Sequence, residues 1–383
     1  MYGVSESAKS KGEYKLLRIT DIQNNAVDWN TVPYTDYDEH RANAYRISDG
    51  DILFARTGAT VGKSYLVKGL QDKAIYASYL IRVQTFNEIL PEYVKYFFES
   101  GFYWEQIQKD SVGIGQPNVN GTTLSQLALP IPPINEQHRI VNELGSWLNI
   151  IDAIDNGKTE LQIAIKRTKS KILALAIHGK LVPQDPSDEP ANELLKRINP
   201  KAEITCDNPQ YGKQPNGWCL IQGKSLYKPM KSMKPKDSVF NYIDIDSINN
   251  AKQSIDSVKV VKTENAPSRA SRYTQKGDIV FSMVRPYLKN IAIVPANDCI
   301  ASTGFYVCSP SNVAISKYCY YLMISDYTVS GLNQFMKGDN SPSINRGDID
   351  NWLFPLPPLS EQHRIVAKIE ELFAQLDNIT SSL

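Results

Sequence analysis

Residues 130–141 read PIPPINEQHRIV, and residues 355–366 read PLPPLSEQHRIV. The two stretches lie 225 residues apart. A chain that repeats itself at such a spacing is built from similar units, so this repeat sets the frame for the rest. Upstream, Gly50-Asp51-Ile52-Leu53-Phe54 recurs as Gly277-Asp278-Ile279-Val280-Phe281, at an offset of 227. Gln116-Pro117-Asn118-Val119-Asn120 recurs as Ser341-Pro342-Ser343-Ile344-Asn345, again at 225. The likeness is tight at the Pro-rich joint and loose between the joints. Two domains that share a fold and differ in detail are expected, each followed by the same kind of helix.

Those helices are the most readable elements. After Pro132-Pro133, Asn135 is a good N-cap and Glu136 opposes the helix dipole; after Pro357-Pro358, Ser360 and Glu361 do the same. Apolar residues then recur in alternating steps of four and three. In the first helix they are Ile140, Leu144, Trp147, Ile151, Ile154, Leu161, Ile165, Ile172 and Leu175, with Lys158 and Thr168 at the two polar positions. In the second they are Ile365, Ile369, Leu372, Leu376, Ile379 and Leu383. This is a coiled-coil period, and so narrow a seam wants another helix rather than a sheet. Gly157 costs about 1 kcal/mol inside a helix. The seam keeps phase across it, so one continuous helix to about Ala176 is predicted, roughly 60 Å long at about 1.5 Å per residue.

Between that helix and the second repeat lies His178 to Gly217, with six prolines and a short helical stretch near Ala191 to Arg197, a pattern expected of a linker. The domains read as mixed α and β. Ile52 to Phe54, Ser64 to Val67, Tyr79 to Val83, Ile279 to Phe281, Ile291 to Val294 and Phe305 to Val307 are strand-like runs. Pro91 to Glu105 and Ser316 to Ser325 are amphipathic and rich in Tyr and Phe. The composition is that of a soluble globular chain: 383 residues, 42% hydrophobic and 22% charged, with room for two or three domains. No apolar run reaches membrane-spanning length and Met1 to Lys11 is polar, so neither a membrane role nor secretion is expected. Cys206, Cys219, Cys299, Cys308 and Cys319 form an odd set without a C-x-x-C pair, which disfavours zinc and disulfides and fits the reduced cytoplasm.

Few motifs promise chemistry. Thr57 to Ser64 resembles a phosphate-binding loop, but Tyr65-Leu66-Val67 follows where a helix must open, so a strand–turn–strand hairpin is expected. Asn208-Pro209-Gln210-Tyr211 lacks the second Pro and the Gly-rich partner of an amino-methyltransferase loop. Gly113-Ile114-Gly115 has no strand–helix context. His138 and His363 sit singly on their helices, a poor metal site and a better structural one near the helix start. No carboxylate cluster or nucleophile–base pair stands out, so no catalysis, metal or cofactor is expected.

The signs of nucleic acid are local. Net charge is only +1, low for a lone DNA binder, so basic residues must be placed locally and partners must share the phosphates. Lys224, Lys228, Lys231, Lys234 and Lys236 stud a stretch with no acid until Asp237, and Lys166, Arg167, Lys169 and Lys171 make the first helix basic near its end. Arg56 and Arg285 follow the two Gly-Asp strands at comparable positions, and the loops around Pro117 and Pro342 are rich in the Asn, Gln and Ser that bond base edges. The candidate DNA contacts are Arg56, Lys63, Gln116, Asn118, Lys228, Lys231, Lys234, Arg285, Lys289, Ser343 and Asn345. For any single lysine a solvated surface role is the commoner one, and the case rests on the constellation.

The order domain, helix, linker, domain, helix, with the joint P-[IL]-P-P-[IL]-[NS]-E-Q-H-R-I-V, resembles the specificity subunits of type I restriction-modification systems. Ile172 to Pro186, reading ILALAIHGKLVPQDP, looks like that family's central conserved region, and the likeness covers essentially the whole chain. The resemblance implies an α+β fold with two target-recognition domains, at 1–134 and 215–359. Long helices, 135–178 and 360–383, would pair as an antiparallel coiled coil, with a Pro-rich linker at 179–214. It implies a non-catalytic subunit that reads a bipartite, asymmetric site in double-stranded DNA. Two DNA adenine methyltransferase subunits and the restriction/translocase subunits would be its partners. A coiled-coil scaffold or a fused restriction or modification enzyme fragment is the alternative. One departure stands out. Gln214 to Tyr227, including Trp218, precedes the second variable part, whereas Met1-Tyr2 stands level with Tyr227. The first repeat is expected to lack its first strand, and the helix ending at Leu383 is shorter than its counterpart, as in a truncated or rearranged chain.

Overall fold

The computed structural model describes residues 2–23, 25–57, 61–110, 119–205, 207–208 and 212–383. It divides into two compact units, Met1–Asn156 and Gly157–Leu383. In each unit the Gly-Asp motif opens the middle strand of a three-stranded antiparallel sheet. In the first, Ile52–Ala55 lies between Ser64–Leu66 and Leu80–Val83. In the second, Ile279–Ser282 lies between Ile291–Ile293 and Phe305–Cys308.

Alternate side chains of a strand point to opposite faces, and here each face feeds a different core. Ile52 and Phe54 pack with Val94, Phe97, Phe98, Tyr103 and Ile107 of the two helices Pro91–Phe97 and Gly101–Asp110. Leu53 and Ala55 pack the other way, with Leu17, Val32, Ile47 and Tyr76. The second unit repeats the division: Ile279 and Phe281 face the helix Ser316–Ile324, whereas Val280 joins Ile243, Ala292 and Cys299. The turn before each strand is also shared. Gly50 and Gly277 both sit at φ of +90°, a conformation that favours glycine. Each donates across to the neighbouring strand, Gly50 to Val67 O and Gly277 to Val294 O.

A second sheet completes each core. In the first unit Tyr14–Leu17 runs parallel to Ala74–Tyr76 and antiparallel to Tyr34–Thr35. In the second, Val239–Ile243 lies parallel to Cys299–Ser302, with Lys259–Lys262 and Ala270–Thr274 outside them. The second unit has a further sheet, Leu353–Leu356 against Cys219–Gln222 against Ile204–Thr205. Residues 128–131, the counterparts of Leu353–Leu356, form no strand in the first unit.

The central helix spans Ile134–Ile177 and the terminal helix Leu359–Ser381. Each begins one residue before the residue expected to cap it. Asn135 and Ser360 therefore lie inside the first turn, and Pro358 occupies the cap position of the terminal helix without a side-chain bond. Proline needs no N–H partner and pre-sets the backbone, so it outcompetes the polar cap. Gly157 leaves the central helix unbroken.

Within the second unit the two helices run antiparallel. Lys169 meets Asp377 at 2.5 Å and lies over Phe373, and Lys158 bonds to the Leu383 carbonyl. Ile165, Ile172 and Ile365, Ile369 of the predicted seam are buried. The pairing stops there. Leu144 is 40% exposed, Trp147 57%, Ile151 50% and Ile154 63%. The terminal helix has 23 residues and the central helix 44.

The stretch expected as a linker is largely packed. Ala191, Leu194 and Leu195 of the helix Ala191–Ile198 are buried in the second unit's core, and Ile204–Thr205 joins its sheet. Proline frequency reports turns, not whether the pieces between them find a core. The four cysteines among the described residues, Cys219, Cys299, Cys308 and Cys319, are buried. Among the described residues no helix is long and apolar enough to cross a membrane, and no group of His, Cys, Asp or Glu is placed to hold a metal.

Candidate nucleic-acid interface

Each unit grips its helix through one glutamine of the repeated joint. Gln362 is 0% exposed. Its Nε2 donates to Val313 O at 2.9 Å and Pro357 O at 3.0 Å, and its Oε1 accepts from the Ile315 N–H at 3.0 Å. Gln137, also 0% exposed, donates to Glu88 O at 3.1 Å and Pro132 O at 2.9 Å, and accepts from the Leu90 N–H at 2.9 Å. All four positions correspond at 225 residues. A buried primary amide with its hydrogens and oxygen satisfied by main chain is a rigid joint. His138 and His363, the more conspicuous residues of the motif, are not the fastening: the structural role belongs to the glutamine beside each.

In the second unit a continuous set of main-chain bonds assembles several of the candidates. The strand Ala270–Thr274 takes the Lys231 segment on one side: Tyr273 N–H donates to Lys231 O and Met233 N–H to Ser271 O. Thr303 N–H donates to Arg269 O, and the adjacent Gly304 carbonyl accepts from Met283 N–H. Met283 O in turn accepts from Ile344, and Arg285 N–H donates to Pro342 O at 2.8 Å. The Lys231 segment, the turn after Ile279–Ser282 and the Pro342–Ser343 loop thus share one frame. Arg285 sits there at φ of +48°, a left-handed conformation that is rare for a residue with a side chain and marks a specified turn. Its Nη2 donates to Asn340 O at 2.7 Å. Lys231, Lys234 and Ser343 belong to the same frame, with the two lysines exposed and Ser343 half-buried.

Not every candidate joins them. Lys228 is fixed at its backbone by Ser309 and lies near Asp278, which opens the strand whose far end leads to Arg285. Lys289 is bound at Nζ by Asp326 at 2.8 Å and by Ile324 O. The Asn345 side chain caps the helix Arg346–Asn351 by accepting from Asp348 N–H, while the Asp348 carboxylate accepts from the Asn345 N–H. Asn120 caps its own helix in the first unit by accepting from Thr123 N–H. The side chains of Lys289, Asn345 and Asn120 have structural partners, as Asn ahead of a helix commonly does.

In the first unit Arg56 N–H donates to Tyr79 O and its carbonyl accepts from Val119 N–H. Met283 makes the matching bonds, to Gly304 and from Ile344. Arg56 is therefore the counterpart of Met283 and not of Arg285, whose counterpart falls at position 58, outside the described residues. The strand motif repeats at 227 and the joint at 225, so positions near the strand end are easily aligned two residues out. The Arg56 guanidinium stacks over Tyr2 at 4.7 Å. Lys63 is exposed beside the turn that joins Ile52–Ala55 to Ser64–Leu66, and a strand follows it where a phosphate loop would need a helix. Gln116 and Asn118 lie outside the described residues, as does Gly113-Ile114-Gly115.

Sequence reasoning passed over Arg269 and Arg272. Arg269 is exposed at the Thr303 turn, and the Nε of Arg272 is buried without a hydrogen-bond partner. Their signal was present as two arginines three apart in SRASRY, at 268–273, but without a Gly-rich or Pro-rich turn to mark it.

The sequence model of the type I restriction modification DNA specificity domain matches residues 4–163 and again 220–382. The chain is 29% identical over 258 residues to the type I restriction enzyme EcoAI specificity subunit of Escherichia coli, an alignment covering 61% of this chain and 44% of that one. It is 23% identical over 377 residues to the EcoKI specificity subunit of Escherichia coli (strain K12), covering 95% of this chain and 76% of that one. The chain thus spans less than half of the first relative and about three quarters of the second. Among solved structures, a chain from work on complex assembly and conformational transition of the type I R-M system superposes with a TM-score of 0.69. It covers 96% of this chain and 86% of its own length at 18% identity, a likeness of fold. With both repeats matched over most of their length, the chain belongs to the type I restriction-modification DNA specificity family.

Proposed function

We propose that this chain reads double-stranded DNA for a type I restriction-modification complex and performs no chemistry itself. Each unit reads one half of a bipartite site. The surface loops of the two units differ, so the half-sites differ and the site is not a palindrome. The helices space the two halves and carry two DNA adenine methyltransferase subunits, to which restriction/translocase subunits add. The observation that carries this reading is the repeated glutamine joint, which mounts two similar scaffolds with different loops on helices that pair antiparallel. A net charge of +1 supports shared phosphate contacts, with the methyltransferases closing on the duplex.

The contacts we assign are Arg285, Lys231, Lys234 and Ser343 in the second unit, with Arg269 beside them. In the first unit they are Arg56 and Lys63, with Gln116 and Asn118. Arginine is the usual bidentate reader of guanine, worth about 1–3 kcal/mol of discrimination. The lysines hold phosphates. Lys289 and Asn345 leave the set because their side chains are engaged. The test is a mobility shift on DNA carrying the host's methylated sites, with and without methyltransferase subunits. Sequence-selective retention by the assembled complex supports the reading. Equal retention of every sequence favours a scaffold, and turnover by the chain alone favours a fused enzyme.

A further inference from the structure

We propose that a cavity within the first unit binds a nucleoside phosphate whose base carries an amino group, either free or extruded from a DNA strand. The cavity, of about 410 Å³, lies between the strand Ser64–Leu66, the helices Pro91–Phe97 and Gly101–Asp110, and the hairpin of Ile22–Gln23 with Ala26–Val27. Small-molecule sites run from roughly 300 to 1,000 Å³. The second unit carries the same elements but lines this place differently.

Matching hydrogen bonds fix the correspondence. Leu90 and Ile315 N–H donate to the two joint glutamines, and the Ser100 and Ser325 hydroxyls accept from Tyr103 and Thr328 N–H. Ala55 and Ser282 N–H donate to Lys63 O and Asn290 O. Ser64 therefore stands where the second unit has Ile291, Lys95 where it has Tyr320, Glu99 where it has Ile324 and Trp104 where it has Val329. Ile291, Ile324 and Val329 are buried and apolar. The Tyr320 hydroxyl reaches across and donates to Gln253 O, in a hairpin turn whose counterpart is at Asn25. In the first unit Lys95 turns back along its own helix to meet Glu99 at 2.7 Å. Asn25 Nδ2 donates to the same Glu99 Oε1 at 2.8 Å. The room that a phenol ring takes in one unit is left open in the other, and polar groups border it.

Those groups select the ligand. Ser64 is 3% exposed, and its Oγ has no hydrogen-bond partner. A buried hydroxyl costs stability unless it is bonded, so an unpartnered one on a cavity wall marks where a ligand atom belongs. It suits a ring nitrogen, because a hydroxyl both donates and accepts. Glu99 Oε1 already accepts from Lys95 and Asn25, which leaves Oε2 to accept from an amino group. Phe98 and Trp104 add aromatic surface, with Ile19 and Ile22 beside them, a setting for the flat face of a base. Lys63 lines the cavity from an exposed position and supplies an ammonium for a phosphate. An acyl chain would leave Ser64 and Glu99 unbonded, and a bare phosphate would leave the aromatic wall uncovered. Lys63 is also among the contacts assigned to DNA above, so a base swung out of a strand reaches the same place as a free nucleotide.

The probe is radiolabelled adenosine monophosphate, in equilibrium dialysis against the full chain. Saturable one-to-one binding is expected. Inosine monophosphate, which lacks the amino group, should bind at least about tenfold more weakly, because it leaves a polar group of the site unpaired. Ser64→Ala should weaken binding about three- to tenfold without lowering the thermal midpoint, since the hydroxyl it removes bonds to nothing within the protein. Lys95→Tyr, which brings in the second unit's tyrosine, should abolish binding while the circular dichroism of the chain stays the same. Two DNA duplexes, one fully paired and one with a single unpaired adenosine, assign the source. Displacement of the nucleotide by the second duplex alone, or tighter binding of that duplex that Lys95→Tyr removes, supports an extruded base. Displacement by neither supports a free nucleotide, and that arm stands even if the chain does not read DNA. The proposal is overturned if the nucleotide does not bind and the two duplexes bind alike. It is equally overturned if binding survives Lys95→Tyr or treats the two nucleotides alike. Equal displacement by both duplexes also overturns it, because Lys63 alone would then hold the phosphate.

Discussion

Gln362 shows how much a single polar side chain can hold. Two of its three main-chain bonds are buried and the third is part-buried, so Gln362→Ala leaves two carbonyls and one N–H without partners, each costing about 1–3 kcal/mol when orphaned in the interior. We expect Gln362→Ala to lower the stability of the second unit by about 3 kcal/mol, seen as a lower midpoint in urea, and Gln137→Ala to do the same in the first. A midpoint unchanged in both would remove the clamp from the account. One residue earlier, burial raises the Glu361 carboxyl above the usual carboxylate range, against the opposing bonds from Trp218 and Gln184 and the charge of Arg364. A folded-state value raised above the unfolded one means that the folded chain holds the proton more readily. Stability is then gained as pH falls through the raised value and lost as pH rises through it. Glu361→Gln should therefore gain on the parent as pH rises through and above the usual carboxylate range. Thermal midpoints of the two proteins across that range check the sign. Arg285 belongs to the other class: Arg285→Ala should leave the fold intact and relax discrimination at one half-site by about 1–3 kcal/mol. Binding to cognate and mismatched DNA by the assembled methyltransferase decides it, and intact discrimination would return Arg285 to a turn-holding role.

Among the elements, the long helices were the most legible, because a four–three alternation of apolar residues sustained over many turns fits a helical seam and little else. The cap of the terminal helix misled by two residues, Pro358 in place of Ser360, since composition does not say whether a polar residue or a preceding proline takes the cap position. The strands were legible through their own pattern: Ile279 to Phe281 is bounded by Gly-Asp and faces two cores, so it reads as a continuous apolar run. The stretch 179–214 was not legible as packed structure. Its prolines announce turns, while the burial of Leu194 and Leu195 depends on a core made elsewhere in the chain. Nor was the register of Arg56, since a difference of two between the repeat offsets is resolved only by hydrogen bonds. The helix as spacer yields its own prediction. Adding or removing seven residues within Glu143 to Lys169 keeps the seam in phase and moves the domains by about 10 Å. The spacer in the recognised site should change length while the bases read at each end do not, and methylome sequencing reads both at once.

At the scale of the whole molecule, the repeat predicts that recognition is divisible. Exchanging residues 1–134 for those of another family member should alter one half-site and leave the other as it was. Methylation mapping of a host carrying the hybrid tests this, and a change in both halves would count against independent units. Divisibility has a source in the joint already described. Among the described residues the glutamine's hydrogen bonds go to main-chain carbonyls and one main-chain N–H, at Glu88, Leu90 and Pro132 in one unit and at Val313, Ile315 and Pro357 in the other. Such a fastening is indifferent to which side chains the domain displays. Mutation can rewrite the reading surface without loosening the mount, and recombination can graft in a foreign domain that inherits the fastening with its backbone. A lineage built this way can acquire new sequence preferences as interchangeable cassettes, with the variation demanded by an arms race confined to one side of a seam that selection need not revisit.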